Sequence, residues 1–117
     1  MEKILNMMVC EGRHNIPQAI DGSCFPKEIP SKILKNPKLL EDMAFGRIWN
    51  ACYRKTKEGE PMLDENDRIF FGIKLNLYVT GLTVAVISAI KAAQNEGMDV
   101  VLWHFDKDSE SYYPQKI

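Results

Sequence analysis

Two short loops carry the residue types that could do chemistry in this sequence. Glu11-Gly12-Arg13-His14 sets a fixed cation and a titratable imidazole beside a glycine, and Thr80-Gly81-Leu82-Thr83 sets two hydroxyls around another. Arginine offers a planar fork of donors matched to phosphate and carboxylate oxygens, and histidine changes charge near neutral pH. Arg13 and His14 together suit an anion clamp, with Arg13 stabilising charge and His14 moving a proton, although a loop histidine can also be functionless. In the second loop Gly81 permits a sharp turn and close backbone approach, and the amides that open a following helix attract an anion. Thr80 or Thr83 adds a hydroxyl donor to that anion or simply caps the helix. Gly12, Thr80, Gly81 and Thr83 are therefore the candidate ligand-binding positions, and Arg13 and His14 the candidate catalytic ones.

Other chemistry is poorly served. Cys10, Cys24 and Cys52 form no CxxC pair, and His14 and His104 alone remain to complete a metal set, so no metal site is expected. Walker A, GxSxG, HExxH and GxGxxG patterns are missing, which leaves dinucleotide coenzymes unsupported and no cofactor expected. A hydrolase or transferase working through Cys10 or Cys24 lacks a base placed beside either thiol. His104 lies between Trp103 and Phe105 in a strand-like run and reads as structural. Asp106 and Asp108 read as a polar turn. Trp49, Trp103, Tyr112 and Tyr113 offer ring faces for a base but sit at spacings usual for a core or an interface.

The elements that must position these loops emerge from periodicity. Ile4 to Cys10 (ILNMMVC) reads as a buried first strand. Residues 15–30, with Pro17, Pro26, Pro30 and Gly22, read as a long irregular loop with at most one helical turn near Ile16 to Ile20. Ser31 is expected to cap a short helix over Lys32 to Lys35, and Asn36-Pro37 to cap a longer one carrying Leu39, Leu40, Met43, Ala44, Ile48, Ala51 and Cys52 at helical spacing. Residues 56–67 (TKEGEPMLDEND) read as an exposed polar linker or mobile flap. Alternating apolar residues from Ile69 to Val79 predict extended chain, broken at Gly72 and ending in a central strand over Leu75 to Val79. Val84 to Asn95 predicts a helix apolar almost all round, mostly buried and closed by Gly97. Asp99 to Phe105 and Ser111 to Gln115 predict a crossover strand and a returning edge strand that carries Pro114.

That order predicts one α/β domain over residues 1–117, a small Rossmann-like three-layer sandwich with a mainly parallel sheet and an antiparallel C-terminal edge hairpin. In such sheets ligands sit beyond the carboxyl ends of strands whose connections leave in opposite directions, which selects the same two loops.

Composition narrows the partners. The chain has 117 residues, 45% hydrophobic and 26% charged, with a net charge of −1. That balance argues against a duplex-DNA binder or a polybasic membrane binder. Residues 1–57 carry 10 basic and 6 acidic side chains and residues 58–117 carry 5 and 10, so the halves are complementary in charge. The stretch from Leu75 to Ala93 is too interrupted by polar residues for a membrane span. The odd cysteine count and an amino terminus without a secretory pattern place the protein in the cytoplasm.

The run from Leu75 to Gln115, LNLYVTGLTVAVISAIKAAQNEGMDVVLWHFDKDSESYYPQ, resembles the strand, TGGT turn, helix, strand and hairpin of CRISPR-associated Rossmann fold domains and their small accessory relatives, with Leu82 in place of the second glycine. The resemblance implies a nucleotide-binding module for a cyclic oligonucleotide messenger or other nucleotide, acting as a sensor, a sponge or a slow ring nuclease in antiviral defence. It further implies a homodimer and gives Thr80, Gly81 and Thr83 the phosphate contacts. The alternative is a protein–protein interaction or accessory subunit without a small-molecule site, using its sheet edge and the residue 15–30 loop.

Overall fold

The computed structural model describes residues 2–12 and 15–117. Along the chain run β1 (Ile4–Cys10), β2 (Ser23–Phe25), α1 (Ser31–Leu34), α2 (Pro37–Lys57), β3 (Lys74–Tyr78), α3 (Thr83–Asn95), β4 (Asp99–Asp106) and β5 (Ser111–Lys116). The strands form one sheet in the order β2-β1-β3-β4-β5, parallel through β4, with β5 antiparallel at the edge. This is the expected small Rossmann-like α/β sandwich.

The period-2 alternation of the strands decides which face is covered. Leu5, Met7 and Val9 of β1, Leu75 and Leu77 of β3, and Val100 and Leu102 of β4 join one core with the buried faces of α2 and α3. On α2 that face is Leu40, Ala44, Ile48, Ala51 and Cys52, positions one turn apart. The helix begins where Asn36 accepts a hydrogen bond from the Leu39 amide at 3.3 Å, with Pro37 at its first position. It ends with Arg54, Lys55 and Lys57 in the last turn, where cations meet the negative pole of the helix.

Both long helices thus lie on one face, and this differs from the expected three layers. The reason is the connection from β1 to β2, in which no helix is found among the described residues and from which Ile16 and Ala19 pack on the second face. There they pack on Tyr78, with Met8, Trp103 and Tyr112 half-buried around them.

Four local expectations are corrected. First, β2 arises inside the predicted irregular loop, because Cys24 and Phe25 are fully buried beside Cys10. Second, Pro30 rather than Ser31 precedes α1, and no side chain caps that helix. Third, residues 56–67 are mostly exposed as expected, but they are tied to the end of α2. The Thr56 hydroxyl donates to the Cys52 carbonyl at 2.8 Å and accepts from the Met62 and Leu63 amides at 2.9 and 3.1 Å, folding the segment back so that both apolar side chains are buried. Fourth, α3 is not mostly buried. Its inward stripe is Ala85, Ser88, Ala89, Ala92 and Ala93, whose small side chains allow close packing, while Val84 and Ile87 face outward.

Among the described residues no helix is long and apolar enough to cross a membrane.

Candidate functional site at the carboxyl edge of β1 and β3

From β1 the chain departs to β2 on one side, and from β3 it departs through α3 to β4 on the other. The junction between β1 and β3 is therefore the switch point of the sheet, the place where ligands bind in open α/β sheets. The Thr80 hydroxyl locks this junction. It accepts from the Cys10 amide at 2.8 Å and donates to the Cys10 carbonyl at 2.9 Å, so the ends of the two strands are pinned through one buried side chain. Those bonds correct the expectation of Thr80 as a ligand contact. With 2% of its surface exposed, the side chain holds the two loops in register instead of facing a ligand.

Gly81 comes next with φ +85°, a backbone region closed to most side chains, so the glycine is required for the turn. Leu82 then stands at the N-cap of α3, and its side chain can bond no amide. The Ala85 and Val86 amides both reach the Leu82 carbonyl, at 3.0 and 3.1 Å. The predicted capping by Thr80 or Thr83 is therefore not what starts this helix. Thr83 is exposed, and its hydroxyl has no hydrogen-bond partner among the described residues. Amides at the start of a helix have no partner within it and carry partial positive charge.

Across the junction Gly12 also lies in left-handed space, with φ +72°. A Cβ on it would come within 3.3 Å of the Lys27 Cδ, so the lysine stem runs alongside this loop. Lys27 is a cation that the sequence reasoning missed, because its position depends on β2. The Glu11 amide bonds the Phe25 carbonyl at 3.0 Å, which brings the chain after β2 against the chain after β1. Arg13 and His14, the candidate catalytic pair, lie outside the described residues.

Behind the rim, on the open face, Tyr78 stacks on Trp103 with ring centroids 5.9 Å apart and meets Tyr112 edge-on at 5.2 Å. Burial raises the hydroxyl pKa of both tyrosines, which keeps them protonated donors. The Trp103 indole donates to Asn76 at 3.0 Å and Asn76 donates to Asn6 at 2.9 Å, a chain of side chains crossing three strands. These rings are thus packed against one another.

The remaining candidates have structural roles. His104 pairs with the Gln115 amide oxygen at 2.8 Å and tilts against Tyr113. The Asp106 carboxylate accepts from the Ser109 hydroxyl at 2.7 Å and the Asp108 amide at 3.3 Å, which lowers its pKa and fixes the turn before β5. Trp49 stacks on Tyr53 and donates to the Asp67 carbonyl. Burial pushes the thiols of Cys24 and Cys52 up to about 12, so neither supplies a thiolate near neutral pH. Cys10 is fully buried too. Among the described residues no group of three or more His, Cys, Asp or Glu is arranged to hold a metal ion.

No protein-family model matches this chain, and comparisons with curated proteins and with solved structures give no match either.

Proposed function

We propose that this chain is a nucleotide-binding module that holds a phosphate-bearing ligand in the crevice between the exits of β1 and β3. The observation that carries the reading is the Thr80–Cys10 lock at the switch point, flanked by two glycines in left-handed conformation. Such a junction presents backbone amides at fixed positions with no Cβ to keep a phosphate away. Gly81 and Thr83 supply amides and a hydroxyl, Gly12 supplies backbone, and Lys27 adds charge to Arg13 and His14. Thr80 positions these groups without touching the ligand.

The resemblance of Leu75 to Gln115 to CRISPR-associated Rossmann fold domains favours a cyclic oligonucleotide as the ligand. A sensor, a sponge and a slow ring nuclease share this binding step and differ in the fate of the bound ligand. In the last, the ligand's own 2′-oxygen bonds to the adjacent phosphorus as the bond to the 5′-oxygen breaks. His14 takes the 2′ proton, a solvent water gives a proton to the leaving 5′-oxygen, and Arg13 stabilises the charge on phosphorus. The side chains of Leu82, Val84 and Ile87, 39, 37 and 48% exposed beside the crevice, support a homodimer formed next to it.

Titration with cyclic oligoadenylates is expected to raise the melting temperature. Gly81→Val should abolish the rise, and Thr83→Ala should reduce it. No shift with any cyclic or linear nucleotide would overturn the reading. The same exposed strip favours a second reading, an accessory subunit that covers Leu82, Val84 and Ile87 with a different protein. That reading requires a stoichiometric partner lost on Ile87→Lys, kept on Gly81→Val and indifferent to nucleotides.

A further inference from the structure

A second site rich in arginine lies at the β2 edge of the sheet, next to β1, where α2 passes over β2. A cleft of about 320 Å³ opens there, with Arg47, Asn50 and Arg54 as one wall and Gly22 and Ser23 as its floor. The three wall residues stand at i, i+3 and i+7 of one helix, so they project from the same face over two turns.

The two arginines of this cleft make no ion pair among the described residues. Arg54 donates to the Asp21 backbone carbonyl at 2.7 Å and Arg47 reaches the Ser23 hydroxyl at 3.4 Å. Among the described residues neither guanidinium has a carboxylate within salt-bridge distance, and each keeps most of its five donors unspent. The one buried carboxylate nearby, Asp21, is committed elsewhere. It pairs with Lys55 at 3.4 Å and accepts from the Asn6 amide at 2.7 Å. Asn50 is exposed and without a hydrogen-bond partner among the described residues, so a neutral polar group separates the two cations.

Gly22 keeps the floor open, with φ +125° and the Arg54 Nη2 3.5 Å from where a Cβ would stand. Glu11, exposed on the rim, is the one negative group facing in without an ion pair among the described residues.

We infer that this cleft binds a small molecule that presents anionic oxygens to Arg47 and Arg54 and a hydroxyl or amino donor to Glu11. Two guanidiniums over two helical turns suit a pair of oxyanion groups, phosphoryl or carboxylate, and the volume suits a metabolite rather than a polymer. Arg47 and Arg54 take no part in the proposed function, so the inference stands or falls without it, and Glu11 joins the cleft to the loop that carries Gly12.

The test uses pyrophosphate and succinate as probes of the full chain, by calorimetry and by the Nε–H signals of the arginines. Saturable binding of either probe, with the Arg47 and Arg54 signals moving, is expected, and the tighter probe names the oxyanion class. Asn50→Asp sets a carboxylate between the two cations on an exposed helix position and should weaken binding at least tenfold with the fold intact. Neither probe brings a hydroxyl or amino donor to Glu11, so Glu11→Gln removes only repulsion and should strengthen the binding of both. The inference is overturned if neither probe saturates, if Asn50→Asp leaves affinity unchanged, or if the arginine signals stay still while Gly81 and Thr83 amides respond.

Discussion

The two faces of this sheet are made by the same strands and obey different physics. On the helix-covered face Leu5, Met7, Leu75 and Leu77 are at most 1% exposed and belong to one apolar core. On the other face, one residue along each strand, Asn6, Asn76 and Trp103 form a hydrogen-bonded chain, and Tyr78 and Tyr112 cluster under Ile16 and Ala19. Stability is therefore concentrated on one side. The other side and the rims are left to polar groups whose geometry is fixed by specific bonds, and the candidate sites lie at those rims.

The comparison can be broken most forcefully at the covered face. Leu77→Ala should cost about 2–5 kcal/mol in denaturant unfolding, because a fully buried side chain is lost between the sheet and two helices. A loss under about 1 kcal/mol would mean that this core is loosely packed. The same face carries Cys24 and Cys52, whose pKa values rise to about 12 from an ordinary value of 9.0. The folded chain then keeps two protons that the unfolded chain releases above pH 9, so stability is complete below that point and falls as pH climbs towards 12. At pH 10 the loss should be roughly 1–3 kcal/mol, removed in large part by changing both cysteines to alanine in a matched background.

At the junction Thr80→Val keeps the shape and deletes the hydroxyl. It removes the two bonds from Thr80 to the buried Cys10 backbone and should cost about 1–3 kcal/mol, with hydrogen exchange at Cys10 accelerated. The smallest effect belongs to the open face. Trp103→Phe removes one donor from the Asn6–Asn76–Trp103 chain, where water can replace it, and should cost about 1 kcal/mol.

The sequence disclosed most of the frame, for reasons visible in particular residues. The apolar run of Ile4 to Cys10, the Asn36-Pro37 start of α2 and the Gly97 end of α3 are strong local signals, and each element stands where its signal put it. β2 was illegible because three buried residues carry no period. The buried Met62 and Leu63 were hidden by the polar residues on both sides of them. The outward placement of Val84 and Ile87 was hidden because an apolar helix surface does not say which stripe faces in, a choice made here by the small side chains of α3.

The candidate site divides in the same way. The two loops and Gly81 could be read from the glycines and the strand order, whereas the use of Thr80 by Cys10, 70 residues away, and the approach of Lys27 to Gly12 are tertiary facts. That Arg47 and Arg54 both reach the chain entering β2 could not be found before β2 was known.

The claim that a phosphate-bearing ligand is gripped at the β1/β3 junction is tested most directly by following backbone amide resonances during titration with a cyclic oligoadenylate. The account predicts saturable shifts centred on Gly12, Gly81, Leu82 and Thr83, lost in Gly81→Val. Amides at these four positions that stay unmoved at saturating nucleotide would contradict it.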